Sequence, residues 1–250
     1  MSWVLVTGAA HRIGRAVALD LAKAGWSVLI HHHNSADAAD EVAAEARKHG
    51  VEAHTIRADL SDVNAAPDLI AEATRLAPAR ELAALINCAA IFEYDTIATL
   101  DEDRFFRHMR VNALAPSILA RDYAAVLPDD ARGAVVNFLD FKLATPYPDH
   151  FSYTIAKYAL AGANDLLARA LAPKVRVNAV APGYVLQGPG QTEADFQRQH
   201  DDTPLERGPV PDDIAHAVRF LIENPVVTGQ TIYVDGGRRF RSYDRDMAFL

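Results

Sequence analysis

The sequence predicts a single α/β domain, built as a doubly wound parallel sheet of about seven strands with helices on both faces. Short apolar runs alternate with longer amphipathic segments along all 250 residues, which is the pattern of strands joined by crossover helices. Each run is apolar throughout rather than at every second position, which indicates strands covered on both faces. No linker, repeat or low-complexity tract interrupts residues 1–250, so we interpret the chain as one domain.

The boundaries of the elements follow from where each run or amphipathic segment stops. Gly25 and Gly50 end the first two helices, as glycine commonly does at helix C-termini. The predicted strands are 3–7, 27–31, 52–58, 82–87, 133–139, 175–181 and 230–235. The predicted helices are 12–24, 36–49, 62–76, 102–126 with a bend at Pro116, 153–171 and 212–222. Right-handed crossovers wind such elements into an open sheet with a switch in strand order.

Composition excludes several classes of function. The formal net charge of −8 disfavours nucleic acids and anionic membranes as partners. No apolar run approaches the ~18 residues of a membrane span, and the N-terminal run lacks the basic flank of a signal peptide. A cytoplasmic protein is therefore expected. Cys88 is the only cysteine, so no intrachain disulfide can form, and its place after the apolar run LAALIN indicates an inert core thiol.

The first strand runs directly into a glycine turn, TGAAHRIG at residues 7–14. Gly8 allows the tight turn, and Gly14 allows close packing of the following helix. A helix N-terminus in this place faces the diphosphate of a dinucleotide, as in Rossmann-type folds. Arg12 occupies the position of the usual middle glycine and adds a fixed positive charge near the phosphates.

The end of the second strand indicates which dinucleotide is bound. NAD enzymes often place an acidic residue there to hold the ribose hydroxyls. This chain has HHHNS at residues 31–35, and its first acid comes only at Asp37. Arg12, Asn34, Ser35 and the histidines can all donate to a 2′-phosphate, so the sequence predicts NADPH rather than NADH. A metal site is not expected, because successive strand residues point to opposite faces.

A tyrosine and a lysine in YTIAK are spaced to share one face of a helix. Tyr153 and Lys157 lie one turn apart. A phenol with a pKa of about 10 is a poor proton shuttle near neutrality. A nearby ammonium favours the phenolate and lowers that pKa. The same spacing also occurs in ordinary helix-surface contacts, so the pair alone is compatible with either role.

Taken together and in this order, the motifs resemble the short-chain dehydrogenase/reductase family over essentially the whole chain. They are TGAAHRIG, ADL at 58–60, NCAA at 87–90, Asn112 in VNA, YTIAK, APG at 181–183 and VDGG at 234–237. The resemblance implies catalytic roles for Tyr153 and Lys157, and a water-anchoring role for Asn112 in the proton relay. NCAA departs from the usual NNAG of the family.

The resemblance also implies the cofactor contacts, with Asp59 and Leu60 at the adenine, Asn87 and Ala89 along the ribose and nicotinamide, and Pro182 with Gly183 at the nicotinamide. The full predicted NADPH-binding set is Gly8, Arg12, Ile13, Gly14, His33, Asn34, Ser35, Asp59, Leu60, Asn87, Ala89, Tyr153, Lys157, Pro182, Gly183 and Val185.

Asp140, thirteen residues before Tyr153, stands where the family usually carries a serine. An ionised carboxylate only accepts hydrogen bonds, and its charge opposes a developing oxyanion. A carboxyl group with a raised pKa can instead carry a proton to a ring nitrogen. This combination resembles the pteridine reductases, which implies a substrate site of Arg12, Phe92, Asp140, Tyr153 and Tyr184. In that branch an aromatic ring at the place of Phe92 stacks on the pterin; an ordinary loop aromatic is the alternative.

Three functions remain open at this stage. The first is an NADPH-dependent reductase of pterins, of the dihydromonapterin or dihydrofolate type. The second is an NADPH-dependent carbonyl reductase of ketones, quinones or 3-oxoacyl substrates, with Asp140 protonated or turned away. The third is a catalytically weak NADPH-binding sensor or scaffold. The intact Tyr153, Lys157 and Asn112 argue against this third function.

Two outer segments complete the predicted site. The Gly- and Pro-containing stretch 183–208 is predicted to be a mobile loop over the substrate. The tail 238–250 extends past the last strand and either packs on the domain or contacts a partner subunit. Small residues on the helix carrying Lys157 permit close helix approach, and the resemblance implies a homotetramer or homodimer.

Overall fold

The computed structural model describes residues 2–62, 64–188 and 190–246. Its centre is a parallel sheet of seven strands in the order β3-β2-β1-β4-β5-β6-β7, which confirms the predicted doubly wound sheet. The strands are β1 (Trp3–Val6), β2 (Ser27–His32), β3 (Ala53–Arg57), β4 (Leu82–Asn87), β5 (Gly133–Phe138), β6 (Val175–Pro182) and β7 (Thr231–Val234). The helices are α1 (Arg12–Lys23), α2 (Ala36–Arg47), α3 (Ala65–Leu76), α4 (Glu102–Met109), α5 (Ala115–Val126), α6 (Phe151–Leu171), α7 (Glu193–Asp201) and α8 (Pro211–Glu223).

The uniformly apolar strands are buried on both faces, as their sequences predict. In β1, Val4 and Val6 pack into the core below α1, α2 and α8, while Trp3 and Leu5 pack into the core below α3 and α5. All four side chains are almost fully buried. Because successive strand residues alternate between faces, one apolar run supplies both cores.

The predicted helix 102–126 is divided in the structure. A π-helical turn at Arg110–Leu114 separates α4 from α5. Pro116 lies in the first turn of α5, which continues directly from the π-helical turn. A bend at Pro116 stays a prediction. The irregularity lies one turn earlier, around Asn112, and π turns of this kind are frequent at functional sites.

The segment 183–208, predicted to be a mobile loop over the substrate, contains the helix α7. The Thr192 side chain accepts the N–H of Asp195 and caps this helix. The sequence of α7, EADFQRQHD, has no continuous apolar stripe, which is why periodicity did not reveal it.

The tail after β7 packs against the domain over its described part. Its first residues form a short 3₁₀ turn at Arg238–Phe240. The side chains of Arg238 and Asp246 are buried. This agrees with the packed alternative for the tail, of which residues 247–250 lie outside the described residues. Within the described ranges, the structure contains no helix that is long and apolar enough to cross a membrane.

Candidate active site

The central strands bring the predicted site residues to one edge of the sheet. Asn87 is the last residue of β4, Asp140 follows β5 closely, and Pro182 is the last residue of β6. Parallel strands place their carboxyl ends together, and this edge is where open α/β sheets bind ligands. Residues distant in sequence therefore share one cleft.

Asp140 is held by two hydrogen bonds, one to each carboxyl oxygen. The backbone N–H of Lys142 donates to Oδ1 at 2.9 Å, since Asp140 caps the short 3₁₀ turn Phe141–Leu143. The Tyr153 hydroxyl donates to Oδ2 at 2.8 Å. Desolvation raises the pKa of Asp140, and the Lys142 charge opposes that rise. The predicted carboxyl group with a raised pKa is therefore present beside the predicted tyrosine.

The environment of Tyr153 differs from the predicted one. Lys157 donates from Nζ to the Phe138 carbonyl at 2.6 Å, and this nitrogen lies 5.6 Å from the centroid of the Tyr153 ring. Burial lowers the pKa of Lys157 to about 8. Burial and the neighbouring Asp140 carboxylate raise the pKa of Tyr153 well above its ordinary value. The prediction was that Lys157 lowers this pKa. In the structure burial has the largest effect and Asp140 adds to it, so the pKa of Tyr153 is raised instead.

Asn112 lies on the π turn and is fully buried. Its Oδ1 accepts the N–H of Ile91, and its Nδ2 donates to the Ile91 carbonyl, both at 2.9 Å. The side chain therefore fixes the segment after β4, which carries Phe92. The anchoring of a water by Asn112 stays a prediction.

Phe92 lies at the mouth of the cleft, with 53% of its surface exposed. One face of its ring stacks on His150, with centroids 4.0 Å apart and planes 17° apart. The ring also meets Tyr153 in a T-shaped contact at 4.7 Å. An exposed aromatic ring in contact with the Tyr153 ring offers a surface for a flat heterocycle. The stacking of a pterin on Phe92 stays a prediction.

The glycine turn fits the diphosphate of a dinucleotide. Gly8 has a φ of 66°, and a Cβ there would lie 2.8 Å from the Cα of Ala89. A Cβ on Gly14 would lie 2.3 Å from the Gly8 carbonyl oxygen. Glycine is required at both positions, and the first turn of α1 leaves its N–H groups directed out of the helix end.

Asn87 completes the inner wall of this cleft. Its Nδ2 donates to Asn137 at 2.9 Å, while its buried Oδ1 has no hydrogen-bond partner among the described residues. A buried acceptor left open in this way fits a donor from a ligand. Of the remaining predicted residues, Leu60 and Val185 are buried, and Ile13, Ala89, Pro182 and Gly183 are partly buried.

The histidines at the end of β2 and just after it have different environments. His31 is buried, accepts the Gly8 N–H at Nδ1 and pairs through Nε2 with the Ala58 carbonyl. Desolvation lowers its pKa to about 4, so it is a neutral structural residue under the glycine turn. The exposed His33 lies 3.4 Å from Asp59.

Beyond the histidines, Asn34 is exposed and Ser35 stands at the N-terminus of α2 without a side-chain capping bond. Both keep donors for a phosphate. Arg57, which sequence reasoning missed, pairs with His32 in the sheet register and donates to the His33 carbonyl. Arg57 adds a positive charge beside the expected phosphate site. Its place at the end of a predicted strand, next to the strand that leads into HHHNS, is the sequence signal that could have revealed it.

Arg12 is directed at the segment that follows β6. Its guanidinium donates to the carbonyls of Gln187 and Leu186 at 3.0 and 3.3 Å. Arg12 has a φ of 54°, a left-handed conformation that bulky residues rarely adopt. Its predicted contacts with phosphate and substrate stay predictions.

Tyr184 forms hydrogen bonds that involve the tail, and its predicted contact with the substrate stays a prediction. Its hydroxyl lies 3.1 Å from that of Tyr147, and both hydroxyls donate to Asp246, at 3.3 and 3.2 Å. The buried Lys142 ammonium lies 4.1 Å from the centroid of the Tyr147 ring. Tyr147, Lys142 and Asp246 were missed, because no local motif marks residues that meet only in the folded chain.

Comparisons with known proteins agree with this geometry. A family profile described as enoyl-(acyl carrier protein) reductase matches residues 8–239. The chain belongs to the short-chain dehydrogenase/reductase family. An uncharacterized oxidoreductase of Methylorubrum extorquens is 33% identical, over 94% of this chain and 96% of that protein. The 3-oxoacyl-[acyl-carrier-protein] reductase FabG of Staphylococcus epidermidis is 29% identical, over 93% and 97%.

Solved structures that are similar to this chain contain NADP. FolM alternative dihydrofolate reductase 1 from Brucella canis has a TM-score of 0.91 and 39% identity, over 96% of this chain and 94% of that one. The angucycline C-6 ketoreductase LanV has a TM-score of 0.87 and 29% identity, over 96% of each chain. The present protein is thus a short-chain oxidoreductase whose relatives reduce different classes of substrate. The part of the chain described here holds no cluster of three His, Cys, Asp or Glu residues suited to a metal ion.

Proposed function

We propose that this protein is an NADPH-dependent reductase of dihydropterins, of the dihydrofolate or dihydromonapterin type. The observation that carries the proposal is the Asp140 carboxyl group, which has a raised pKa and is hydrogen-bonded by Tyr153. The 39% identity with FolM over almost the whole chain supports it. NADP(H) fits the glycine turn, the open acceptor of Asn87 and the acid-free end of β2.

Reduction of a ring C=N bond needs one hydride on carbon and one proton on nitrogen. NADPH supplies the hydride when it is bound. Asp140 in its protonated form donates the proton, which a group with a raised pKa can hold nearer to neutrality. The Tyr153 hydroxyl, 2.8 Å from Oδ2, is placed to pass its proton to the carboxylate while it takes one from water, so that no free phenolate has to form. Lys157 keeps the α6 face tied to β5 through the Phe138 carbonyl.

Phe92 supports the choice of a flat, electron-poor substrate. Its ring is exposed beside Tyr153, so a pterin lying on Phe92 comes within reach of both Tyr153 and Asp140. Arg12 and Tyr184 complete the proposed substrate side, with Asn112 holding the segment that positions Phe92.

Carbonyl reduction is the second candidate, supported by the likeness to LanV and FabG. A protonated Asp140 can donate to a carbonyl oxygen as the serine of the family would, so its raised pKa is compatible with this reaction as well. A sensor or scaffold function is disfavoured, because Asp140, Tyr153 and Lys157 lie together as a reactive set. Self-association is a further proposal, supported by the exposed Phe106, Leu114 and Leu166 on and between α4 and α6.

The deciding experiment measures NADPH oxidation against a panel of dihydropterins, folates, quinones and ketones. We expect turnover of dihydropterins, with little turnover of ketones. Tyr153→Phe, which removes only the hydroxyl, should lose most of this activity. Turnover of ketones or quinones without any pterin would overturn the proposal in favour of carbonyl reduction. Tight NADPH binding without any turnover would support the sensor alternative.

A further inference from the structure

The cleft contains a second buried lysine that the reaction described above does not use. Lys142 follows Asp140 in the 3₁₀ turn, and only 3% of its surface is exposed. Its ammonium donates to the Asp149 carbonyl at 3.0 Å and lies over the ring of Tyr147. A carbonyl and an aromatic face hold the ammonium at a fixed position within the segment that follows Asp140.

Carboxylates from three parts of the chain act on the Lys142 ammonium through their charge. Asp140 acts on it most strongly, followed by Asp246 of the tail, Asp149 and Asp95. His150, on the same segment, is influenced by the Lys142 charge in turn. Burial lowers the pKa of Lys142, and the four carboxylates oppose that effect.

The Lys142 charge in turn acts on the Asp140 carboxyl group. The groups that face Asp140 are Lys142 and Tyr147 from its own segment, Tyr153 and Lys157 from α6, and Tyr184 after β6. Among the effects that lower the pKa of Asp140, the charge of Lys142 is the largest and that of Lys157 the smallest. The Lys157 ammonium donates a hydrogen bond to the Phe138 carbonyl instead.

We propose that Lys142 is a positioning residue that acts through Asp140: its backbone N–H holds one carboxyl oxygen, and its caged ammonium controls the protonation of that carboxyl group. The two groups that hold the ammonium, the Asp149 carbonyl and the Tyr147 ring, lie in the segment between β5 and α6. Tyr147 in turn donates a hydrogen bond to Asp246 of the tail. Lys142 does not touch the substrate in this arrangement. The influence of the Lys142 charge on the protonation of Asp140 does not depend on the proposed function. Its consequence for proton donation to a substrate rests on that function.

The test measures the titration of Asp140 directly, without substrate. Carboxyl carbons of aspartate are labelled with ¹³C, and the Asp140 signal is assigned by its loss in Asp140→Asn. Lys142→Gln removes the charge and keeps a donor for the Asp149 carbonyl, while Lys142→Arg keeps the charge. Lys48→Gln, at an exposed site on the C-terminal end of α2, removes one positive charge elsewhere.

We expect the midpoint of the Asp140 titration to rise by about one pH unit or more in Lys142→Gln, the size of effect an opposite charge has at close range. Lys142→Arg and Lys48→Gln should stay within about half a unit of the wild type. Unchanged midpoints in Lys142→Gln, or equal shifts in Lys142→Arg, would overturn the proposal. If Lys142→Gln does not fold, Lys142→Met serves as a second charge-free variant.

The same variants separate this inference from the proposed function. If dihydropterins are substrates, the pH profile of kcat/KM should move upward with the Asp140 midpoint in Lys142→Gln. A shifted midpoint in a protein that turns over no dihydropterin would contradict only the proposed function. Dihydropterin turnover with an unshifted midpoint would contradict only the role of Lys142.

Discussion

Tyr153 donates its hydroxyl hydrogen to Asp140, with 2.8 Å between the two oxygens. The hydrogen bond crosses from the helix α6 to the turn after β5, so it joins two parts of the cleft that are separate in the chain. It makes the carboxyl group, rather than Lys157, the nearest charged neighbour of the tyrosine. The properties of the site follow from this pair.

Replacing Asp140 by serine tests the carboxyl group as proton donor. Asp140→Ser should lower kcat/KM for dihydropterin reduction by at least about tenfold, because general acid catalysis commonly contributes more than that. Steady-state NADPH oxidation measures the effect, with Asp129→Ser at a fully exposed site as the matched control. Full activity in Asp140→Ser would show that another group delivers the proton.

The acid-free end of β2 predicts a preference for NADPH over NADH. Ser35→Asp places a carboxylate at the N-terminus of α2, where the 2′-phosphate is expected. NADPH binding should weaken by at least about tenfold, because like charges brought together cost several kcal/mol. NADH binding should change little.

Dissociation constants from fluorescence titration measure this preference. Ala71→Asp on the exposed side of α3 adds the same charge elsewhere and should leave both constants unchanged. Equal affinities of the wild type for the two cofactors would contradict the reading of this site.

His31 predicts a pH dependence of stability. Burial lowers its pKa from 6.5 to about 4, so its contribution is fully present above pH 6.5 and is lost as the pH falls towards 4. Between pH 7 and pH 5 the linked loss in unfolding free energy should be about 2 kcal/mol. Urea unfolding of His31→Gln should lack this part of the dependence. His49→Gln, at an exposed position, should retain it; identical pH slopes in all three proteins would refute the assignment.

The hydrogen bonds that Asp246 accepts from Tyr147 and Tyr184 lead us to expect that this residue holds the tail on the domain. Asp246→Ala removes the acceptor shared by Tyr147 and Tyr184, and hydrogen bonds to charged groups contribute about 1.5–3 kcal/mol each. Amide hydrogen exchange in residues 238–246 should accelerate by about tenfold or more, while the strands stay protected. Asp244→Ala, two residues earlier and exposed, is the control. Equal exchange in the two variants would exclude Asp246 as the anchor.

The fold could be read from the amino-acid sequence because its signals are local. Uniformly apolar runs such as the one containing Val4 and Val6, and a glycine turn containing Gly8, depend on neighbours in the chain. The same is true of the Tyr153–Lys157 spacing, which is set by one helical turn. Such local patterns were sufficient to predict the parallel sheet, the glycine turn for the cofactor and the position of Asp140 before Tyr153.

The balance of charges in the cleft was decided only by tertiary structure. Lys142, Tyr147 and Asp246 come together through the return of the tail, and no spacing in the sequence encodes that meeting. Lys157 donates a hydrogen bond to a backbone carbonyl. The pKa of Tyr153 is raised by burial and by Asp140, and the expected lowering by Lys157 is not seen. Electrostatic interactions depend on distance and burial in three dimensions, and the folded chain alone specifies both.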